Sequence, residues 1–315
     1  MQTVKLGKTG LEVTVAGLGC GGFSRIGIER GLDHAAGIVR SAYGAGVNFF
    51  DTAAAYGTEG AVGRGLDGFP RDGYILSTKY PYNRGGDWRE GAADNLVKSL
   101  DNSLRELRTD YIDVYHLHGV KPEDYADARE ILVPAMQKAR EQGKIRFLGI
   151  TELFGTDTSH AMFKLAQDDD LFDVIMVGFN IINPSAIRTV FPKAIKYDTG
   201  VLCMFAVRSA LSKPEQLLAD IARIIENGQA GEGLAASADA LDFLVSGGAP
   251  AASTVMEAAY RFCRHTPPVH VVLTGTGNHD HLRDNLRSIG MPALPRDVLE
   301  RLDKLFGNVD CVSGQ

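Results

Sequence analysis

The strongest constraint on the fold is an alternation that repeats along almost the whole chain. Short runs of β-branched and aromatic residues are each followed by a longer stretch with helical spacing, which is typical of βα units in a parallel sheet. The strands predicted in this way cover residues 15–18, 47–51, 74–78, 111–117, 145–150, 174–179, 201–205 and 269–273. Eight units favour closure of the sheet, so the sequence predicts an α/β (β/α)8 TIM barrel, preceded by a small N-terminal β-hairpin around residues 5–10.

The stretches between the predicted strands support this barrel. In the helix that ends near Leu107, the residues Leu96, Leu100 and Leu104 recur at three- and four-residue spacing and form one apolar stripe that should pack on the sheet. The run 173–177 is almost continuously apolar, as expected for a parallel strand buried on both faces. A barrel of this kind accommodates 315 residues with one core, so we expect a single domain over 1–315.

Composition and charge argue against several other classes of protein. Apolar residues make up 44% of the chain and charged residues 23%, which predicts an ordered globular protein. The net charge of -6, without a basic run, predicts no nucleic-acid partner. Neither a signal peptide nor a membrane span is evident, so we expect no membrane partner and a cytoplasmic location. The four cysteines are scattered and indicate neither a metal site nor a disulfide framework, and the sequence makes no prediction about oligomeric state.

One connection is longer than an ordinary βα loop. The segment 207–237, after the predicted seventh strand, contains an amphipathic stretch of its own around Leu217, Ile221 and Ile224. Two interpretations are open at this point: a lid over a site at the barrel mouth, or a surface helix without a special function.

Side chains capable of acid-base chemistry follow the second, third and fourth predicted strands. Barrels of this type carry their active sites at the carboxyl ends of the strands, where Asp51, Tyr56, Lys79 and a histidine, His116 or His118, would converge. A nearby ammonium favours phenolate, so we expect Lys79 to lower the pKa of Tyr56 toward the working range while Asp51 holds Lys79 in place. The histidine can orient a carbonyl oxygen. Each residue alone is better explained by a structural role, but their conjunction predicts carbonyl reduction.

These residues lie in segments that resemble the aldo-keto reductase family over nearly the whole chain. The resemblance rests on three segments: D-T-A-A-A-Y-G at 51–57 with Glu59, Gly63 and Leu66 after it, S-T-K at 77–79, and D-Y-I-D-V-Y-H-L-H at 110–118. It implies that Tyr56 is the general acid/base, that Lys79 and Asp51 tune it, and that His118 positions the substrate oxygen. Since successive strand residues alternate in direction, His116 shares a face with His118 and is expected to be buried and hydrogen-bonded.

The resemblance also implies a nicotinamide cofactor, NAD(P)(H), bound along the later strands. Implied contacts near the barrel mouth come from Gly21, Thr151, Glu152, Met176, Phe205 and Arg208. The loop and helix after the eighth strand, which would hold the adenosine phosphate or form a plain βα turn, supply Gly275, Thr276, Gly277, Asn278, His281, Asp284 and Asn285. Glycines allow close backbone approach, and a helix N-terminus favours an anion.

Several implied cofactor positions depart from the family pattern. Thr151 and Glu152 stand where a serine-asparagine pair usually binds the carboxamide, and Met176 stands where a glutamine is usual. A carboxylate can only accept a hydrogen bond unless it is protonated, so Glu152 is a poor substitute. Phe205 keeps an aromatic ring for stacking on the nicotinamide.

The basic residues that commonly bind a 2′-phosphate are also replaced. Gly275 and His281 stand at those positions, and Arg208 or Arg283 would have to compensate. We therefore expect NADP(H) to be favoured only slightly over NAD(H), with a small carbonyl compound or alcohol as the substrate.

Three aromatic residues after the third strand are candidates for the wall of the substrate pocket: Tyr80, Tyr82 and Trp88. They are equally compatible with packing of the loop. The identity of the substrate depends on loop shape, which the four acid-base residues do not encode.

Three other functions remain open. One is an NAD-linked sugar dehydrogenase of the same fold, and another is a nucleotide-binding sensor or partner subunit without turnover. The third is a metallohydrolase, because His116 and His118 form an H-x-H pair on a barrel strand. No further ligands are evident at the ends of strands five to eight except Glu152, which argues against the metal and predicts that none is bound.

Overall fold

The computed structural model of this protein describes residues 1–83, 87–166, 168–246 and 250–315. The strands are β1 (Thr3–Lys5), β2 (Glu12–Thr14), β3 (Ala16–Gly19), β4 (Phe49–Asp51), β5 (Ile75–Tyr80), β6 (Ile112–Val120), β7 (Ile145–Glu152), β8 (Val174–Gly178), β9 (Gly200–Met204) and β10 (Val271–Thr274). The last eight are parallel and form a closed barrel in sequence order, because β10 pairs with both β9 and β3. The predicted (β/α)8 barrel is confirmed.

The helices surround this barrel. They are α1 (Leu32–Gly44), α2 (Glu59–Leu66), α3 (Ala92–Leu107), α4 (Tyr125–Glu141), α5 (Ala161–Ala166), α6 (Ala186–Thr189), α7 (Phe191–Lys196), α8 (Pro214–Glu226), α9 (Val255–Arg264), α10 (His279–Ile289) and α11 (Arg296–Phe306). The leucine stripe predicted for α3 is confirmed, since Leu96, Leu100 and Leu107 are buried and Leu104 packs against the same core. One connected apolar cluster has members from Val15 to Val312, as expected for the single domain over 1–315, which stays a prediction.

The N-terminal hairpin closes the amino-terminal end of the barrel. Strands β1 and β2 pair antiparallel, with Val4 opposite Val13, which confirms the predicted hairpin. Leu6, Leu11 and Val13 are buried and form one cluster with inward-facing strand residues such as Phe49. Only the carboxyl-terminal end of the barrel therefore remains for a site.

The strand boundaries differ from the predicted ones mainly at β6. This strand extends to Val120, three residues beyond the predicted end at 117, and so includes His118. Its pairing with β7 shifts in register between Leu117 and Val120. Because a shift of this kind re-aims side chains at the rim of a barrel, it affects the residues at the mouth.

The long connection after β9 contains an ordered helix that packs on the C-terminal part of the chain. The apolar face of α8 is buried at Leu217, Ile221 and Ile224, so the predicted amphipathic stretch is confirmed. Beyond α8, the side-chain amide of Gln229 donates a hydrogen bond to Asp310 (2.6 Å) and accepts one from its backbone N–H (2.9 Å). The structure thus ties this segment to the C-terminal residues, and a lid function for 207–237 stays a prediction.

No helix among the described residues is long and apolar enough to cross a membrane.

Candidate active site

The ends of three neighbouring strands bring Asp51, Lys79 and His118 together at the open end of the barrel. The Lys79 Nζ donates hydrogen bonds to Asp51 Oδ1 (2.8 Å), to Asp51 Oδ2 (2.7 Å) and to the backbone oxygen of Thr52 (2.6 Å). Lys79 is fully buried. An ammonium group that is cut off from water requires such partners, and these three bonds fix its position.

Tyr56 completes this group of four residues. It lies in a short 3₁₀ turn, Ala54–Tyr56, that follows β4 directly. Its hydroxyl is 3.2 Å from His118 Nε2, and the two rings are perpendicular with centroids 5.3 Å apart. The Lys79 Nζ lies 5.1 Å from the centre of the Tyr56 ring. The structure therefore brings together the four residues that the sequence pattern singled out.

The loop after β3 fixes the position of the tyrosine ring. A Cβ atom added to Gly21 would lie 2.4 Å from Tyr56 Cε2 and 2.6 Å from Cζ, closer than real side chains approach each other. Only glycine allows the backbone to pack this closely on the phenol. Packing on the tyrosine ring therefore explains why this position is a glycine. The predicted contact of Gly21 with the cofactor stays a prediction.

The expectation of a lowered tyrosine pKa is wrong for this structure. Burial raises the pKa of Tyr56 above its ordinary value, and the opposing charge of Lys79 offsets only part of that effect. A phenol with a raised pKa keeps its proton at neutral pH, and the charge of Lys79 makes that proton easier to donate than burial alone would allow. For Lys79, burial favours loss of the proton, but Asp51 reverses this and holds the lysine pKa above its usual range.

Both histidines of β6 are uncharged at neutral pH. Burial, together with the charge of Lys79, lowers the pKa of His118 to about 3. The same two causes, with His118, keep the pKa of His116 well below its usual range. Since a neutral imidazole has one donor and one acceptor nitrogen, His118 can hold an oxygen atom without acting as an acid.

Ser77 belongs to the site, although the sequence analysis did not single it out. Its hydroxyl donates a hydrogen bond to Asp51 Oδ1 (2.8 Å) and lies 3.0 Å from His116 Nε2. Because the hydroxyl proton is used toward Asp51, the His116 nitrogen must be the donor in the second bond. The available signal was the strand pleat, since Ser77 lies two residues before Lys79 and shares its face. His116 is buried and hydrogen-bonded, as predicted.

Phe205 and Arg208 lie together after β9, at the same end of the barrel. Phe205 follows β9 and has a positive φ of 66°, which is uncommon for an aromatic residue. The Arg208 guanidinium carbon lies 3.9 Å from the centre of the Phe205 ring. Arg283, the other arginine considered for a 2′-phosphate, is exposed and paired with Asp280 at 2.5 Å.

Three of the implied cofactor contacts are buried. Thr151, Glu152 and Met176 are only 1–3% exposed. Thr151 Oγ1 accepts a hydrogen bond from the Gly119 N–H (2.7 Å), and Met176 belongs to the interior apolar cluster. Glu152 Oε1 accepts a bond from the Gly178 N–H (2.7 Å). The structure places none of the three in the exposed part of the mouth.

Glu152 instead forms a buried pair that the sequence analysis missed. Its Oε2 lies 2.8 Å from His160 Nδ1, and neither side chain is exposed. The His160 ring stacks on Phe154, which in turn contacts Phe205 edge to face with centroids 5.3 Å apart. Glu152 therefore supports the Phe205 ring through two intermediate side chains. Its role as a direct cofactor contact has no support in this geometry, because both of its oxygens are already used.

The loop after β10 has the form expected for close backbone approach. A Cβ atom at Gly275 would lie 2.4 Å from the Gly19 oxygen, and one at Gly277 would lie 2.7 Å from the Gly27 Cα. Asn278 caps α10, with its Oδ1 accepting hydrogen bonds from the backbone N–H groups of Asp280 and His281. Asn278 is thus the N-cap of the helix at whose start this loop ends.

The remaining implied residues of this region divide between the loop and the helix surface. Thr276 Oγ1 accepts a hydrogen bond from the Asn278 N–H (3.1 Å), and Asn285 Nδ2 donates one to Thr274 Oγ1 (2.9 Å). The side chains of His281 and Asp284 are exposed on α10. Thr276 and Asn285 thus hold the loop on the start of the helix.

The aromatic residues proposed for the pocket wall form a packed cluster. Tyr80, Tyr82 and Trp88 are only 5–7% exposed. The Tyr82 hydroxyl and the Trp88 Nε1 both donate hydrogen bonds to Asp124, at 2.9 and 3.2 Å, and their rings meet edge to face. This arrangement explains Tyr82 and Trp88 as packing of the loop, and contact with a substrate stays a prediction for all three residues.

The described residues include no group of three or more His, Cys, Asp or Glu side chains placed to hold a metal ion. The two nitrogens nearest to such a role, His116 Nε2 and His118 Nε2, lie within hydrogen-bonding distance of Ser77 and Tyr56.

The fold and the sequence together define the class of protein. The chain belongs to the Aldo/keto reductase family, since the model of that family matches residues 17–306. Two solved structures share the fold over nearly their whole length. Aldo-keto reductase AKR11C1 from Bacillus halodurans, in its holo form, has a TM-score of 0.76 and 24% identity, with 99% of this chain and 98% of that chain covered. An aldo/keto reductase from Klebsiella pneumoniae in complex with NADP and acetate has a TM-score of 0.68 and 22% identity, with 98% and 97% covered.

Similar sequences are found at higher identity over shorter lengths. L-galactose dehydrogenase of Arabidopsis thaliana is 38% identical over 156 residues, which is 47% of this chain and 47% of that protein. Probable aldo-keto reductase 1 of Glycine max is 33% identical over 160 residues, 48% of this chain and 45% of that protein. This chain thus matches about half the length of these two relatives. Uncharacterized oxidoreductase YqkF of Bacillus subtilis is 26% identical over 313 residues, 96% and 95% of the two chains.

Proposed function

We propose that this protein is an NAD(P)(H)-dependent oxidoreductase that reduces aldehydes or ketones to alcohols, or catalyses the reverse reaction, with Tyr56 as the general acid/base. The observation that carries the proposal is the position of the Tyr56 hydroxyl, 3.2 Å from an uncharged His118 and next to the ammonium of Lys79. A protonated phenol between a neutral donor and a fixed positive charge is suited to transferring a proton to a carbonyl oxygen.

In the reduction, the cofactor supplies a hydride to the carbonyl carbon and the protein supplies the proton. Tyr56 donates its phenolic proton to the carbonyl oxygen as that oxygen gains negative charge. The phenolate that remains is stabilised by Lys79, whose charge is maintained by Asp51. His118 orients the substrate oxygen by a hydrogen bond. In the oxidation, the phenolate takes the proton back from the alcohol.

The residues around the mouth fit a nicotinamide dinucleotide in part. The Phe205 ring offers a stacking surface, and the Gly275–Asn278 turn leads a backbone free of side chains to the start of α10. Thr276 and Asn285 hold this turn and would carry the adenosine phosphate. The ends of β7 and β8 do not fit in the usual way, because Glu152 is occupied by His160. We propose NADP(H) ahead of NAD(H), because the Klebsiella pneumoniae aldo/keto reductase of similar fold is in complex with NADP.

The test is a titration of NADPH and of NADH, followed by protein fluorescence, into the wild type and the variant Tyr56→Phe. Tyr197→Phe is the matched control, since Tyr197 lies away from the barrel mouth at the end of α7. We expect all three proteins to bind the same nucleotide, whereas Tyr56→Phe alone should lose reduction of a reactive aldehyde such as 4-nitrobenzaldehyde. Tight nucleotide binding without turnover by the wild type would favour the sensor alternative, and activity that depends on a metal and not on nucleotide would favour the hydrolase.

A second candidate is an NAD-linked sugar dehydrogenase of the same fold. The observation that favours it is the 38% identity to L-galactose dehydrogenase over 156 residues. It predicts that NAD⁺ is reduced with an aldose such as L-galactose, at a higher kcat/KM than any simple aldehyde gives in the reverse direction. A panel of aldoses with NAD⁺ and NADP⁺ separates the two candidates.

A further inference from the structure

Arg208 differs from Arg71 and Arg261, two other arginines that are largely shielded from water, in its lack of a charged partner. Arg71 and Arg261 are each paired with a carboxylate, Asp113 at 2.7 Å and Glu257 at 2.9 Å. Arg208 is half-buried but forms no ion pair and donates no hydrogen bond to any residue in the part of the chain that the structure describes. Burying a charged group without a partner is unfavourable, and a guanidinium offers five donors. A charge held in this way is suited to a ligand rather than to the fold.

The surroundings of Arg208 place its charge beside the proton donor. On one side, its guanidinium lies over the Phe205 ring at 3.9 Å. On the other side, one of its terminal nitrogens is 3.3 Å from where a Cβ of Gly22 would be, and the adjacent Gly21 packs on the Tyr56 ring. The guanidinium and the Tyr56 ring therefore both lie close to the backbone of two consecutive residues, Gly21 and Gly22.

Electrostatics agree with this position. Tyr56 is one of the groups whose pKa responds to Arg208, and burial lowers the pKa of Arg208 itself. A guanidinium nevertheless stays protonated in proteins, so the charge persists at neutral pH. The guanidinium carbon lies over the Phe205 ring, and its nitrogens donate no hydrogen bond to a described residue, so they can form two parallel hydrogen bonds to an anion.

We propose that Arg208 is the binding site for an anionic group of the substrate, so that the preferred carbonyl compounds or alcohols carry a carboxylate or a phosphate. This rests on the proposed function of the same site. The two oxygens of such a group would accept hydrogen bonds from the edge of the guanidinium while the carbonyl oxygen lies at Tyr56 and His118. The diphosphate of the nucleotide has the same chemistry, and the experiment separates the two sources.

The first measurement is binding, which needs no turnover. Succinate and the neutral succinamide are titrated calorimetrically into the wild type, Arg208→Gln, Arg208→Lys and the control Arg296→Gln, each with and without NADP⁺. Arg296 is exposed on α11 and paired with Glu300, so its removal leaves the mouth unchanged. We expect succinate to bind about 10- to 100-fold more weakly to Arg208→Gln, with an intermediate loss in Arg208→Lys and no effect on succinamide.

The second measurement compares kcat/KM for matched substrates, 4-oxobutanoate against butanal and 4-carboxybenzaldehyde against benzaldehyde. We expect the wild type to prefer the carboxylated member of each pair and Arg208→Gln to lose that preference while it still reduces the neutral aldehydes. A nucleotide titration of the same variants forms the third arm, in which Arg208→Gln should bind NADPH as tightly as the wild type.

Three outcomes would overturn the proposal. In the first, the wild type fails to bind succinate. In the second, the wild type and Arg208→Gln bind succinate equally well. In the third, Arg208→Gln binds NADPH more weakly while the preference for carboxylated substrates is unchanged, which would assign the guanidinium to the diphosphate. Loss of the oxidoreductase proposal looks different: none of the four aldehydes would react, while succinate binding would still depend on Arg208.

Discussion

Lys79 and Asp51 form a buried ion pair at the mouth of the barrel, with Nζ 2.7 Å from Oδ2 and side-chain exposures of 0% and 5%. The pair is held from both sides, since Lys79 also reaches the Thr52 oxygen and Ser77 donates to Asp51. A charge in this position acts on Tyr56 without being screened by water. The pair therefore links the stability of the barrel mouth to the protonation of the phenol.

Removing one member of the pair should destabilise the protein strongly. Asp51→Asn leaves the buried ammonium without its counter-charge, and we expect the free energy of unfolding in urea to fall by about 3–5 kcal/mol. The double variant Asp51→Asn/Lys79→Met removes both charges and should regain most of that loss while remaining inactive. A loss below about 1 kcal/mol for the single variant would mean that the pair is not buried as described.

The contact between Gly21 and Tyr56 predicts an effect on catalysis. In Gly21→Ala the new methyl group would lie 2.4 Å from the phenol ring, so the ring must move. Because misplacement of a reacting group by about 1 Å can reduce rates by about 100-fold, we expect a fall in kcat/KM of that order. The matched control is Gly44→Ala at the end of α1, where an added Cβ meets nothing within 4 Å. Equal activity of the two variants would contradict the assigned role.

The low pKa of His118 predicts a dependence of stability on pH. The folded state holds this group neutral down to about pH 3, whereas in the unfolded chain it takes up a proton near pH 6.5. Between these values the unfolded state binds more protons, so the free energy of unfolding falls as the pH is lowered from 6.5 toward 3. The contribution of one such group is about 1.4 kcal/mol per pH unit. In urea melts from pH 4 to 6, His118→Asn should show a slope smaller by up to that amount, and an unchanged slope would contradict a buried, neutral His118.

The hydrogen bonds of Ser77 to Asp51 and His116 predict that its hydroxyl stabilises the folded protein. In Ser77→Ala, His116 Nε2 loses its hydrogen-bond acceptor and Asp51 Oδ1 loses one of its hydrogen-bond donors. We expect a loss of about 1–3 kcal/mol in the free energy of unfolding, because a buried donor is left unsatisfied. Ser41→Ala is the control, since Ser41 bonds His279 at the surface and its removal should change stability by less than about 0.5 kcal/mol. A similar result for both variants would show that the Ser77 bonds contribute little.

Part of the candidate site could be predicted from the sequence, because the information needed is local in the chain. Asp51 and Lys79 lie on strands whose apolar patterns are strong, and a parallel barrel places the ends of neighbouring strands side by side. His118 was chosen over His116 through the family resemblance, and β6 runs three residues further than expected. Tyr56 lies only five residues after Asp51, in a turn too short to carry it far from the strand end.

Other parts required the packed structure. The net pKa of Tyr56 results from competition between burial and the charge of Lys79, and only the surrounding barrel decides which effect is larger. Glu152 occupies a position where the family resemblance implied a cofactor contact, yet the turn after β7 gives its carboxylate to His160. Tyr82 and Trp88 both donate hydrogen bonds to Asp124, which lies on a different loop, and these bonds explain the two aromatic residues as packing of the loop.

The sequence by itself determined the barrel, because hydrophobic periodicity and strand alternation are local properties, and it singled out four residues that the structure brings together at the end of the barrel. The tertiary structure alone decided which polar side chains find partners. Glu152 is satisfied inside the protein, whereas Arg208 meets the Phe205 ring and no carboxylate of the described chain. That difference depends on long-range burial and loop geometry, since the cost of desolvating a charge is set by everything packed around it.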